Sequence, residues 1–242
     1  MKAFVLAAGK GSRLGELSEH LPKPMLRIGG VPVLERNLRW LARHGVREVA
    51  INLHHLGDVI EKHCGDGSQW GLKIVYSREP QLLGTAGGVK RMQEFLADAP
   101  FLVVYGDNLF DFDLGKLVRV HEQGHVIATL ALFSVDQHQH TGIAGGRVEV
   151  DRSGRVLRFL EGTTDTSLRL VNAGCYVLDP AVLQHIPAGQ PYDFGKELFP
   201  KLLRQHGILL GHVIDGRCLG LDTPDALAKA RSFYPEGEGV RG

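Results

Sequence analysis

Lys2-Ala3-Phe4-Val5-Leu6-Ala7-Ala8-Gly9-Lys10-Gly11-Ser12-Arg13-Leu14 stands near the start of the chain, and its reading decides the fold. Residues 2–8 are a short apolar run closing in glycines, the pattern of a fully buried strand. A secretory leader would also begin with such a run, but Lys10 and Arg13 cut the apolar stretch short, and a buried first strand explains it better. Small residues past a strand let the backbone approach a ligand, and successive N–H groups in a glycine-rich turn cradle phosphate oxygens. Arg13 adds a forked cation suited to the same anion. The spacing Gly9-x-Gly11-x-x-x-Gly15 is not a dinucleotide fingerprint, since no helix continues into Pro22 and Pro24. Nor does a Gly-Lys-Ser/Thr close it as a P-loop.

Outward from this stretch, strands and helices alternate. Residues 31–44 start at Pro32, place Leu34, Leu38 and Leu41 on one helical face and meet a C-cap at Gly45. Residues 46–53 predict a strand, the segment to His63 a helix, 72–76 a strand, 85–96 a helix and 101–105 a strand. Residues 146–160 break this alternation. There Val148 and Val150 alternate with polar neighbours and the chain turns at Ser153-Gly154, which predicts an antiparallel hairpin. Strands over 126–133, 168–178, 208–214 and 217–221 are also expected, with helices over 194–206 and 224–233. Strands and helices in alternation imply parallel pairing with helices on both faces. The expected fold is one doubly wound, three-layer α/β domain over residues 1–234, with a mixed, mainly parallel sheet and a small hairpin. Residues 235–242 read as a flexible tail without apolar period. Ligands of such sheets bind beyond the carboxyl ends of the strands.

Composition narrows the partners. The 242 residues are 43% hydrophobic with a formal net charge of +1, which argues against a nucleic-acid binder, for a polyanion selects clustered Lys and Arg in excess. No apolar run approaches the ~20 residues of a membrane span. Cys64, Cys175 and Cys218 are odd in number, widely spaced and without a CxxC, so free thiols in a reducing cytoplasm are expected.

Lys23 lies in Leu21-Pro22-Lys23-Pro24-Met25-Leu26. Two prolines set its backbone in an extended shape, so the ammonium is aimed at low entropic cost. An isolated Pro-Lys-Pro would read as an exposed loop. Following a glycine-rich turn that ends in Arg13 by ten residues, it resembles the signature of the sugar-phosphate nucleotidyltransferase family, LAAGxGTRL followed by PKPML. That family includes mannose-1-phosphate guanylyltransferases, glucose-1-phosphate thymidylyltransferases and amino-sugar uridylyltransferases. Ser12 stands where threonine is usual and keeps the hydroxyl, while Gly15-Glu16-Leu17-Ser18 replaces a frequent RPLT. The likeness continues through Arg78-Glu79-Pro80-Gln81-Leu82-Leu83-Gly84-Thr85-Ala86-Gly87-Gly88, Val103-Val104-Tyr105-Gly106-Asp107-Asn108, Glu161, Asn172-Ala173-Gly174 and Asp222-Thr223-Pro224.

The resemblance implies in-line attack of a sugar 1-phosphate on a nucleoside triphosphate, with release of pyrophosphate. Such displacement needs positioning and charge neutralisation rather than covalent catalysis. Arg13, Lys23 and Asp107 would be the catalytic residues. Leu6, Ala7, Ala8, Gly9, Gly11, Ser12, Arg13, Gln81, Gly84, Thr85 and Asp107 would hold the nucleotide, with Gln81 presenting a donor and an acceptor to the base. Asn108, Glu161, Asn172 and Lys196 would meet the sugar. Asp107 and Asp222, at the ends of short apolar strands, would hold Mg²⁺, which needs only one or two carboxylates plus phosphates and water. The bland reading of either aspartate is turn initiation. Members of the family often pair, so the resemblance leaves a homodimer open.

One departure matters. Gly162 and Thr163 stand where the family has the lysine and proline of its sugar-binding motif, so the acceptor's phosphate needs another cation, with Lys196 and Arg169 the alternatives. The departure also keeps open a non-catalytic regulatory relative and a transferase with a non-sugar acceptor such as phosphocholine. His138 and His140 read as polar loop residues. Guanine and uracil fit Gln81 about equally, thymine less well. His121-Glu122-Gln123-Gly124-His125 spells the zinc-hydrolase motif HExxH, but Gly124 should end the helix before the second histidine.

Overall fold

The computed structural model of the chain describes residues 1–9, 11, 20–136, 145–163, 165 and 167–235. β1 (Lys2–Leu6) is the buried strand expected, with Ala3, Phe4 and Val5 wholly inaccessible. A short ribbon, β2 (Arg27–Ile28) and β3 (Val31–Pro32), leads into α1 (Val33–Arg43). Gly45 N–H to Ala42 O and Val46 N–H to Leu41 O close α1 in a Schellman motif, and the chain enters β4 (Glu48–Leu53). α2 (Gly57–Cys64) and β5 (Lys73–Arg78) complete the first half-unit. The helix expected over 85–96 is two pieces, α3 (Gly84–Arg91) and α4 (Gln93–Leu96), divided where Met92 leaves helical geometry.

β6 (Phe101–Tyr105) returns to pair with the other side of β1. The parallel block therefore runs β5-β4-β1-β6, and its strand order reverses between β1 and β6. Neighbouring loops diverge at such a point and leave a crevice beyond the carboxyl ends.

β7 (Asn108–Asp111) precedes α5 (Leu114–Gly124), β8 (Ala128–Ser134), the hairpin β9 (Arg147–Val150) and β10 (Val156–Leu160), and the nine-residue β11 (Leu170–Leu178). β11 runs antiparallel to β6, β8 and β9, so the sheet is mixed as the sequence predicts. The helix expected over 194–206 is a π-turn at Phe194–Leu198 followed by α6 (Phe199–Arg204). Pro200 has no N–H for the helical ladder, and the wider turn accommodates that gap. β12 (Leu209–Val213) joins β8 at the edge, and β13 (Arg217–Gly220) precedes α7 (Pro224–Ser232).

Alternate residues of β1 feed different cores. Ala3 and Val5 pack with Leu34, Leu38 and Leu41 of α1, whereas Phe4 packs with Ala86 and Val89 of α3 and with Phe199 of α6. A third cluster joins Leu26 and Ile28 to Leu109, Leu219 and Leu227. It buries a two-stranded ribbon of β7 and β13, whose register sets Asn108 opposite Gly220. Asp107 and Asp222 thereby emerge at one end of the ribbon.

β11 slips register between Asn172 and Tyr176, around Gly174 at φ +76°. A Cβ there would lie 2.9 Å from Tyr105 Cγ and 3.2 Å from Asn108 Nδ2. Left-handed backbone and overpacking both oppose a side chain, so Gly174→Ala should lower stability by about 2 kcal/mol, read from urea unfolding midpoints at unchanged slope.

All three cysteines are buried and unpaired. α5 ends at Gly124 and His125 lies at φ +47°, while His121 is buried with Nδ1 3.1 Å from Thr129 Oγ1. The two imidazoles share no helical face, and the HExxH string carries no zinc geometry. Among the described residues no helix is long and apolar enough to cross a membrane.

Candidate active site

The crevice at the switch point is a cleft of ≈ 280 Å³. Leu6, Ala7, Ala8 and Gly9 form one wall, where the small side chains expected of a ligand-facing turn stand. Gly106 N–H donates to Leu6 O at 2.8 Å and ties the end of β6 to that wall. Ser12 and Arg13 lie outside the described residues, as do His138 and His140; Gly11 is described but does not line the cleft.

Lys23 enters from the opposite side. It opens a 3₁₀ turn, Lys23–Met25, rather than the extended stretch predicted between two prolines. Pro22 is extended, but the fixed φ of Pro24 suits a helical turn, and Met25 N–H donates to Pro22 O at 2.7 Å. The Lys23 side chain is 5% exposed, and its Nζ lies 2.7 Å from Asp107 Oδ2 and 2.6 Å from Asp222 Oδ1. Burial alone would lower the pKa of this ammonium, but the charges and hydrogen bonds of Asp107 and Asp222 outweigh it and hold the group above its ordinary value. Three residues from three parts of the chain thus converge on one point, with Asp107 34% exposed toward solvent.

This donor set fits a small hard cation in kind. Both carboxylates already share one cation-sized position, and magnesium takes one or two carboxylates with phosphate and water completing the shell. Among the described residues no larger cluster of acidic, histidine or cysteine groups is arranged for a metal. The cleft is otherwise acidic. Glu79, Asp107 and Asp193 line it against the single ammonium of Lys23, so among the described residues it repels a polyphosphate unless more positive charge arrives.

Gln81 is exposed and does not line the cleft. Glu79, two residues earlier, takes that place: it is 3% exposed, first past β5, and lines the pocket. Its Oε1 accepts from Asn52 Nδ2 at 2.8 Å and its Oε2 from Leu83 N–H at 3.0 Å. No ion pair to Glu79 occurs among the described residues. A buried acid at a strand's carboxyl end was the available signal, but Glu79 and Gln81 are both polar and adjacent to Pro80, and only tertiary packing separates them. Gly84 lines the cleft at φ +70°, where a Cβ would fall 2.7 Å from Tyr192 O. Thr85 also lines it, yet its hydroxyl donates to Asp193 Oδ2 at 2.8 Å and accepts from Phe194 N–H at 2.9 Å, fastening the π-turn to α3.

The residues expected at the sugar divide. Asn172 donates to the Tyr176 hydroxyl at 2.7 Å and accepts from Gly174 N–H at 3.1 Å, and Asn108 donates to Ala173 O at 3.2 Å. Those amides hold the distorted segment of β11. Glu161 lies against Gly146 and Gly195, where an added Cβ would collide with its carboxylate. Burial and then Asp193 push the Glu161 carboxyl up, and Lys196, exposed on the π-turn, pulls it down. Arg169 is committed to an exposed pair with Asp136, which leaves Lys196 the better-placed cation beside Glu161. Gly162 is exposed at φ +68°.

A family model described as nucleotidyl transferase matches residues 2–236. The UTP–glucose-1-phosphate uridylyltransferase of Synechocystis sp. is 38% identical over 216 residues, covering 84% of this chain and 55% of that protein. The mannose-1-phosphate guanylyltransferase of Mycobacterium tuberculosis is 38% identical over 236 residues, covering 97% of this chain and 65% of that protein. The chain thus spans somewhat over half the length of these relatives. The fold is shared with HddC from Yersinia pseudotuberculosis, solved with GMP-PN, at TM-score 0.81, 23% identity and coverage of 97% and 99% of the two chains. A putative glucose-1-phosphate thymidylyltransferase from Bacillus anthracis superposes at TM-score 0.86 and 21% identity, covering 100% of this chain and 97% of that one. With a family match over nearly all its length and relatives of this similarity, the chain belongs to the nucleotidyl transferase family.

Proposed function

We propose that the protein couples a nucleoside triphosphate to a sugar 1-phosphate, giving a nucleotide sugar and pyrophosphate. The observation that carries this reading is the buried Lys23 ammonium held between Asp107 and Asp222 at a cleft walled by the small residues of β1's end. An oxygen of the sugar phosphate attacks the α-phosphorus, the bond to the bridging oxygen breaks, and pyrophosphate leaves. Ala8 and Gly9 backbone N–H groups and Arg13 receive the triphosphate, and Lys23 meets charge gathering on the α-phosphoryl oxygens. Asp107 and Asp222 would hold Mg²⁺ once the Lys23 ammonium shifts toward phosphate; bound there, the ion would supply charge neutralisation for the polyphosphate. Glu161 and Lys196 serve the acceptor side.

Glu79 favours guanine as the base. An ionised carboxylate only accepts, and it has lone-pair sites beyond the two already engaged. Guanine offers two adjacent donors, N1–H and the 2-amino group. Uracil and thymine offer one donor flanked by two acceptors, which a carboxylate repels.

Pyrophosphate release measured over four nucleoside triphosphates and a panel of sugar 1-phosphates tests the reading. Release should require GTP, one class of sugar 1-phosphate and a divalent ion, and EDTA should abolish it. Nucleotide binding without release in any combination would overturn it.

A further inference from the structure

Asn52 lies one residue before the end of β4, between Leu6 of β1 and Ser77 of β5, and is 2% exposed. Its Oδ1 accepts from Ala7 N–H at 2.7 Å, and its Nδ2 donates to Glu79 Oε1 at 2.8 Å. The orientation of this amide is chemically determined, because a backbone N–H can only donate and a carboxylate can only accept. The relay continues from Glu79 Oε2 to Leu83 N–H, one residue before Gly84. Glu79 is also fixed through its backbone, its N–H donating to Leu53 O at 2.8 Å. One buried side chain on the central strand of three thus ties Ala7, the first residue past β1, to the carboxylate of Glu79 across the cleft.

We propose that Asn52 is a positioning residue that sets the Glu79 carboxylate for the base and couples its placement to the phosphate-binding turn. This deepens the reading of Glu79 as the base acceptor and rests on it. Only an amide of this length performs both halves. Aspartate keeps an acceptor for Ala7 N–H but sets a second negative charge against Glu79; alanine leaves both partners without their buried hydrogen bond. Either change frees the carboxylate from one plane, and base discrimination depends on that plane.

The test compares kcat/KM for GTP, for inosine triphosphate, which lacks the 2-amino donor, and for UTP, in wild type, Asn52→Asp, Asn52→Ala and Glu79→Gln. Circular dichroism first establishes which variants fold; two Asn52 variants are used because the buried alanine leaves unsatisfied groups. The wild-type enzyme should prefer GTP over inosine triphosphate by about tenfold to a hundredfold. In a folded Asn52 variant that ratio should collapse to within about threefold, with the loss mainly in KM for the nucleotide. A merely structural role would reduce the active fraction and leave the ratio unchanged. A wild-type ratio in the folded Asn52 variants, with the ratio lost in Glu79→Gln, overturns the inference alone. A ratio unchanged in Glu79→Gln overturns the base reading and the inference with it.

Discussion

Lys23→Met should lower the rate of pyrophosphate release by about three orders of magnitude while leaving a folded protein. Methionine keeps the apolar stem of lysine as far as Cε and removes the charged terminus. In the free protein that charge lies between two carboxylates, with the Lys23 side chain 5% exposed and Asp222 13%. Removing one partner of a buried pair costs about 3–5 kcal/mol, and the 34% exposure of Asp107 brings the expected loss toward the lower end. A second readout separates charge from packing. With the ammonium gone, Asp107 and Asp222 lose the cation they share, so divalent ions should raise the thermal midpoint of the variant more than that of wild type. Turnover near wild-type values in Lys23→Met would refute the role assigned to this group.

The same geometry sets a pH dependence. The folded-state pKa of Lys23 lies above the ordinary lysine value of about 10.4. Its contribution to stability is therefore complete below the unfolded-state pKa and is lost as pH rises through the folded value. Loss of activity on a mildly alkaline limb belongs to some other group.

Glu79→Gln should lower kcat/KM for GTP by about a hundredfold and raise UTP relative to it, so that the base preference narrows or inverts. The glutamine has one acceptor and one donor where the carboxylate has two acceptors, so it turns an N–H toward the guanine donors and offers a complementary pair to uracil. The change is isosteric, and Asn52 and Leu83 retain at least one acceptor between them. Steady-state kinetics with both triphosphates at saturating acceptor decides it; an unchanged ratio removes Glu79 from base selection.

Local pattern made the scaffold legible. Residues 2–8 read as a buried strand because an apolar run ends in glycine, and β1 is there with both faces covered. The hairpin turn at Gly154 and the closing of α1 at Gly45 also follow from local signals. The β7–β13 ribbon was not legible, because two four-residue strands separated by over a hundred residues carry no period of their own. Pro200 was visible in sequence, but its π-turn depends on Asp193 capping the segment from outside the helix.

Within the site, sequence alone determined the parts: a glycine-rich turn, a proline-flanked lysine and strand-end aspartates. Only the tertiary structure decided how they are used. Lys23 and Asp222 lie 199 positions apart, and their ion pair exists because β7 and β13 pair in one register. Glu79 rather than Gln81 faces the cleft because β5 ends beside β4, where the buried amide of Asn52 takes up the first acidic group past the strand. Strands and turns arise from neighbours in the chain, whereas the meaning of a buried charge or amide is set by the group across from it, which only the folded sheet supplies.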